Sequence, residues 1–244
     1  MGPDAKIFRE LASVASQLRW TVTGLLWGGI SYRYVASQES KGTRNDLCQS
    51  QPDEVVLTRG LSDIQQDLGE CRRCRLHSGR THIVFGEGAA SPRLVFVGEG
   101  PGFDEDRQGR PFVGRAGKLL DKIIIALGFR RDQVYICNVV KCRPPNNRTP
   151  DADEISACSS YLVQQLEILR PSAICALGAC AAQTLTGTTS SISQLRGKVH
   201  KWRGTPLVCT YHPAYLLRTP SQKAATWQDL LRIQRILFGG QEGE

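Results

Sequence analysis

The sequence predicts an α/β fold: a three-layer α/β/α arrangement with a central, mainly parallel β-sheet flanked by helices. Three observations carry this expectation. Short apolar runs rich in β-branched residues recur at 93–97, 134–140, 173–177 and 206–210, a length and composition that suit buried strands. Segments with apolar residues at helical spacing lie between them. Strands alternating with helices in this way build a parallel sheet covered on both faces.

The elements follow in chain order. Residues 1–57 contain one amphipathic pattern, Lys6–Leu18, and then mixed polar sequence without a motif. They are read as an N-terminal extension, disordered or wrongly assigned to the chain, and residues 58–244 as the functional domain. The first strand is Arg93–Val97. Ala116–Leu127 is apolar at helical spacing and stops at Gly128, a natural residue beyond a helix C-terminus. The strand Val134–Val140 follows. Thr149-Pro150 reads as an N-cap and first helical position, opening a helix that runs to about Leu169 and is stopped by Arg170-Pro171. The strand Ala173–Leu177, the helix Ala179–Leu185, the strand Pro206–Thr210 and the helix Gln222–Leu237 complete the order. No repeat interrupts it.

Composition narrows the class. The net charge is +8, and residues 1–57 hold six basic and six acidic residues, so the whole excess lies in residues 58–244. Arginine outnumbers lysine 23 to 8. A basic folded domain rich in guanidinium groups suits phosphate-backbone contacts. The nine cysteines are an odd count, and no secretory leader pattern opens the chain, so a disulfide framework is not expected and the expected compartment is a reducing cytoplasm. The apolar stretch Trp20–Tyr32 is too short and too broken by glycine to span a bilayer, so no membrane association is expected.

Ligands of parallel sheets bind beyond the carboxyl ends of the strands. Here those ends read Gly98-Glu99-Gly100-Pro101-Gly102, Asn138-Val139-Val140-Lys141-Cys142, Gly178-Ala179-Cys180 and Tyr211-His212-Pro213, and they should converge on one site. The glycine turn is not a phosphate loop. It lacks Gly-Lys-Ser/Thr, Pro101 breaks a dinucleotide fingerprint, and Glu99, Asp104, Glu105 and Asp106 would repel a pyrophosphate. A catalytic carboxylate suits it better than an anion cradle; a tight turn with a solvated acidic face is the plain alternative.

Three motifs carry a family resemblance. Gly98-Glu99-Gly100-Pro101-Gly102 with Glu105-Asp106 and Gly109-Arg110-Pro111-Phe112-Val113-Gly114 resembles the first motif of family 4 uracil-DNA glycosylases. Asn138, Lys141-Cys142-Arg143-Pro144-Pro145 and Asn147-Arg148-Thr149-Pro150 resemble the middle motif, and Tyr211-His212-Pro213-Ala214-Tyr215-Leu216-Leu217-Arg218 the last. The match runs from about Leu68 to Leu237. Two departures from other branches of the superfamily are informative. Gly100 stands where the best-known glycosylase family has a water-activating aspartate, so the base must be another group. Asn147-Arg148 runs directly into Thr149-Pro150, without the histidine-containing insertion of a covalently trapping subgroup, so ordinary turnover is expected.

The resemblance implies a DNA-repair hydrolase that flips uracil from single- or double-stranded DNA and cleaves its N-glycosidic bond. Phe112 would stack on the base, where a core role is the plain alternative. Asn138 would pair with the O4 acceptor and N3 donor of uracil, with strand-end capping as the alternative. Gly100 begins the turn that would exclude the thymine methyl. His212 would hydrogen-bond O2 as charge develops there, and Glu99 or Glu105 would orient the water and stabilise the cationic sugar. Leu216 or Leu217 would wedge into the stack and Arg218 would contact phosphate.

The cysteines divide in two. Cys71-x2-Cys74 is a chelating spacing, Cys142 lies in a proline-rich loop, and Cys158 falls on the helix after Thr149-Pro150. Four thiolates suit either a structural zinc or a [4Fe–4S] cluster. The resemblance favours the cluster, placed at one side of the fold in a structural role. Cys137, Cys175, Cys180 and Cys209 sit in apolar runs and are expected to be small buried hydrophobes. The chain is expected to be a monomer. The competing classes are a non-catalytic DNA-binding module and an iron–sulfur redox protein, which release of free uracil would exclude.

Overall fold

The structure, a computed structural model, describes residues 60–239. The helix expected at Lys6–Leu18, the extension that contains it and Cys48 lie outside the described residues. Six strands form one sheet: β1 (Glu87–Gly88), β2 (Leu94–Gly98), β3 (Tyr135–Asn138), β4 (Ala173–Leu177), β5 (Val199–Trp202) and β6 (Thr205–Thr210), in the spatial order β1-β3-β2-β4-β6-β5. The four inner strands are mutually parallel, and the edges β1 and β5 are antiparallel. The helices are α1 (Leu61–Leu68), α2 (Phe103–Gln108), α3 (Arg115–Ala126), α4 (Ala152–Leu169), α5 (Ala179–Thr186), α6 (Ile192–Leu195), α7 (Pro213–Arg218) and α8 (Lys223–Phe238).

Strand residues alternate between two cores, as a pleated strand requires. Val95, Val97, Ile174 and Ala176 pack with Leu162 and Leu166 of α4 and Ala181 of α5. Leu94, Phe96, Cys175 and Leu177 pack with Leu120 and Ile124 of α3 and Ile233 of α8. Both faces of the sheet are therefore covered, which explains why its inner strands read as unbroken apolar runs. Cys137, Cys175 and Cys209 are fully buried within these cores.

The differences from the expected elements have local causes. The helix expected to open at Thr149-Pro150 begins at Ala152, with Asp151 as N-cap; the Asp151 amide donates to Glu154 Oε2 at 2.8 Å, which closes the first turn there. The apolar run after Asn138 leaves strand geometry but keeps pairing, since the amides of Val139 and Val140 donate to the carbonyls of Gly98 and Glu99 at 2.9 and 3.1 Å. The edge strands escape notice because β1 has two residues and β5, Val-His-Lys-Trp, is partly exposed along its length. Among the described residues, no helix is long and apolar enough to cross a membrane.

Candidate active site

The sheet register brings the motif residues together. Gly98 lies opposite Asn138, Val97 opposite Ala176, and Leu177 opposite Thr210, so the chain after each inner strand emerges along one edge. A Cβ on Gly98 would stand 2.4 Å from Asn138 Oδ1 and 2.6 Å from Phe112 Cζ. Gly98 is thus the floor on which the Asn138 carboxamide and the Phe112 ring meet. Asn138 is almost fully buried, and its Oδ1 has no hydrogen-bond partner. An unpaired buried acceptor costs about 1–3 kcal/mol, so its position calls for a donor.

The Asn138 main chain is held from behind. Lys141, fully buried, donates through Nζ to the Asn138 carbonyl at 2.8 Å and to Gln165 Oε1 at 2.6 Å. Gln165, on α4, donates in turn to the Phe85 carbonyl and the Tyr135 hydroxyl at 2.9 and 3.2 Å. Burial pulls the Lys141 amine below the usual lysine range, opposed by Cys137 and Cys158. The sequence signal for Lys141 was a lone charge closing an apolar run; nothing there identified Gln165 as its partner.

Phe112 is positioned by a strained backbone and a carboxylate clamp. Its φ is +51°, a left-handed conformation that costs a non-glycine residue on the order of 1–3 kcal/mol. Gly117 of α3 leaves room for it, since a Cβ there would overlap the Phe112 carbonyl oxygen at 1.8 Å. Glu105 Oε1 accepts the amides of Val113 and Gly114, both at 2.9 Å. The Glu105 carboxylate, one of the two expected water-orienting groups, is therefore committed to fixing the turn that carries Phe112.

Glu99 is half-buried beside this floor. Burial raises its carboxyl above the ordinary glutamate range, and a hydrogen bond from the Thr149 side chain opposes that rise. Gly100 needs to be glycine for contact: a Cβ would stand 2.8 Å from Val140 Cγ2.

His212 caps α7. Its Nδ1 accepts the Ala214 amide at 3.1 Å, so in the neutral ring the proton resides on Nε2. Its ring centroid lies 5.5 Å from that of Phe112. Gly178, at φ +91°, gives it room, because a Cβ there would stand 3.1 Å from His212 Cβ. Burial, and then the charge of Arg218, push the imidazole down to about 4. A neutral ring with its proton on Nε2 can donate a hydrogen bond without carrying charge.

The last motif separates into two roles. Leu216, one of the two leucines expected at the DNA, is only 1% exposed. Leu217, at 39% exposed, and Arg218 face outward. Helical geometry turns consecutive residues about 100° apart, and here that rotation leaves Leu216 buried and Leu217 exposed.

The four cysteines with chelating spacing are brought to one side of the fold. Cys74 and Cys158 raise the Cys142 thiol, and Cys74 and Cys71 raise that of Cys158, each after burial as the main cause. The Lys141 amide hydrogen-bonds the Cys158 sulfur, and Arg80 donates to Cys142 Sγ at 3.4 Å and to the Cys71 carbonyl at 2.6 Å. Ion pairs tie the supporting segments together: Glu154 of α4 accepts from Arg75 at 2.8 Å and from Arg148 at 2.7 Å, which holds its carboxyl down to about 2. Among the described residues, no three metal-ligating side chains converge tightly enough to hold a single ion. The grouped side chains are the four thiols of Cys71, Cys74, Cys142 and Cys158.

Residues 85–231 match the model of the Uracil DNA glycosylase superfamily. The chain is 50% identical over 162 residues to the type-4 uracil-DNA glycosylase of Thermotoga maritima, covering 66% of this chain and 84% of that protein. It is 44% identical over 184 residues to the type-4 enzyme of Archaeoglobus fulgidus, covering 72% and 92%, and 43% identical over 185 residues to that of Sulfurisphaera tokodaii, covering 72% and 84%.

The His212 geometry makes a prediction about protonation. In nitrogen-15 NMR of selectively labelled protein, His212 should remain neutral with its proton on Nε2 at pH 6, and gain a second proton only near pH 4. Arg218→Gln should move that midpoint upward, because one opposing positive charge is removed. A His212 titration at the ordinary value, about 6.5, would show that the ring is solvated.

Proposed function

The chain belongs to the uracil-DNA glycosylase superfamily and removes uracil from DNA by hydrolysing its N-glycosidic bond, and from that premise we propose how its residues divide the work. The observation that carries the proposal is the unpaired, buried Oδ1 of Asn138 beneath the Phe112 ring. A flipped uracil supplies the missing donor through N3–H, while the carboxamide NH₂ donates to O4. Cytosine presents an acceptor at N3 and a donor at its exocyclic amine, so both contacts are reversed. A buried polar site of this kind discriminates by roughly 10⁴ or more. Phe112 supports the face of the base.

Breaking the bond between N1 and C1′ sends its electron pair into the uracil ring, and negative charge gathers on O2. The neutral His212 donates its Nε2–H there. One preorganised donor is worth about 3–4 kcal/mol in the transition state. The sugar becomes oxocarbenium-like. A water oxygen bonds to C1′, and Glu99 accepts the proton that water loses. Glu105 acts indirectly, by holding Val113 and Gly114 and so the Phe112 platform. Leu217 is the wedge that fills the stack after the base leaves, and Arg218 steadies a neighbouring phosphate; both act on duplex DNA, and neither needs a second copy of the chain.

Cys71, Cys74, Cys142 and Cys158 would hold a [4Fe–4S] cluster. Their all-thiol donor set suits it, and when bound it would supply a structural cross-link rather than redox chemistry. It would join the Cys71–Cys74 segment, the proline-rich loop after β3, and α4.

Three measurements test this reading. Purified protein incubated with uracil-containing DNA should release free uracil; its absence would reject the glycosylase activity. In single-turnover assays Asn138→Ala should lose at least about 100-fold in rate, consistent with two lost polar contacts. Gly98→Ala should lose as much without removing any polar group, because its methyl displaces both Asn138 Oδ1 and the Phe112 ring. Near-normal rates in either variant would move base recognition elsewhere.

The metal reading makes a separate prediction. Anaerobically purified protein should be brown and contain about four irons per chain, and Cys158→Ala should lose them while Cys175→Ala keeps them. A colourless protein holding one zinc would overturn the assignment.

A further inference from the structure

Phe103 is the first residue of α2 and is 52% exposed, an unusual place for a large aromatic side chain. Two guanidiniums pack on it: the Arg107 carbon Cζ lies 5.6 Å, and that of Arg143 5.1 Å, from the ring centroid. Half of the arginines among the described residues are ion-paired, nine of eighteen. Arg110 pairs with Glu87, Arg131 with Asp121, and Arg148 with Glu154. Among the described residues, neither Arg107 nor Arg143 has a carboxylate at ion-pair distance. Asp106, next to Arg107 on α2, is buried and accepts the amides of Thr81 and His82 instead, while Asp104 lines the same depression as Arg107 without pairing with it. Arg143 has one side-chain hydrogen bond, from Nε to Asn147 Oδ1 at 2.8 Å, which orients the guanidinium and leaves its other nitrogens open.

Each of these arginines also lines a surface depression. Arg107 lies with Asp104 and Gln108 along one, and Arg143 with Ser78, Gly79, Pro144 and Asn146 along the other. The Phe103 ring packs against the guanidiniums of both arginines. Both segments leave the sheet at the reaction edge: Phe103 follows the glycine turn after β2, and Arg143 follows the loop after Asn138. Gly100 touches Pro144, the residue after Arg143, across that edge.

We propose that Arg107 and Arg143, spread apart by Phe103, grip two phosphates of the DNA strand that enters the site. The ring pre-orients two cations that have no internal partner, and phosphodiester oxygens are the anions this partnerless pair suits. The proposal rests on the glycosylase reading for the identity of the polyanion. Sequence discrimination is no part of it, since phosphate contacts position a strand without reading bases.

The test is the salt dependence of binding, measured by fluorescence anisotropy on a labelled duplex carrying one stable abasic-site analogue. Each neutralised phosphate contributes about 0.9 to the slope of log K against log salt. Arg107→Gln and Arg143→Gln should each reduce the magnitude of the slope by about 0.9, and the double variant by about 1.8. Arg110→Gln, an exposed arginine already paired with Glu87, should leave it unchanged and controls for bulk charge. Phe103→Ala removes no charge, yet should weaken binding at low salt because both guanidiniums lose their support. A wild-type slope in the double variant would overturn the proposal. The measurement involves no chemistry, so it is separate from uracil release: wild-type protein that binds DNA with the expected slope but releases no uracil would instead sink the glycosylase reading.

Discussion

The missing side chain at Gly98 is the constraint on which this site depends. Parallel pairing of β2 with β3 sets Gly98 opposite Asn138, and the space a Cβ would take is filled by Asn138 Oδ1 and the Phe112 ring. The Asn138 carboxamide and the Phe112 ring are thereby brought together over one glycine. Every other feature of the site preserves that approach. Gly117 admits the left-handed Phe112, Glu105 pins the two amides after it, and Gly178 leaves room for His212.

Holding a buried asparagine with an open acceptor requires a rigid frame behind it. Lys141 supplies it, at the cost of burying an amine without a carboxylate, a burial that is stabilising only when the donors are satisfied. Its two acceptors are the Asn138 carbonyl and Gln165, and the Cys158 sulfur sits on its own main-chain amide. The recognition strand and the cysteine-bearing helix therefore meet at one residue. A metal centre in that position would stiffen the back of the base pocket without touching the base.

The electrostatics are divided by sign along the reaction coordinate. In the proposed reaction a neutral imidazole donor, His212, would meet the negative charge on the base, and a half-buried carboxylate, Glu99, would meet the cationic sugar. Burial produces both states. It disfavours the charged form of His212 and raises Glu99, so the same low-polarity surroundings prepare an uncharged donor and a more basic carboxylate. Outside the pocket, the proposed function of charge is different: contacts to phosphate that set affinity and strand position.

Much of this was legible in the residues alone. The four inner strands, their alternation with helices and the convergence of glycine turn, Asn138 and His212 follow from run length, periodicity and the rule that parallel sheets bind at their carboxyl ends. The motif spacing identified the family, and the chelating cysteines could be named. Other matters needed the tertiary structure. Glu99 and Glu105 are equivalent as letters, and only the tertiary structure shows that the second accepts the amides of Val113 and Gly114. Leu216 and Leu217 are equally apolar, and only the helix face decides which is buried. Lys141 and Gln165 are 24 residues apart and meet through packing. The physical reason is common to these cases: periodicity and motif chemistry are local properties of the chain, whereas the partner of a buried polar group is chosen by whatever the fold places within hydrogen-bond distance.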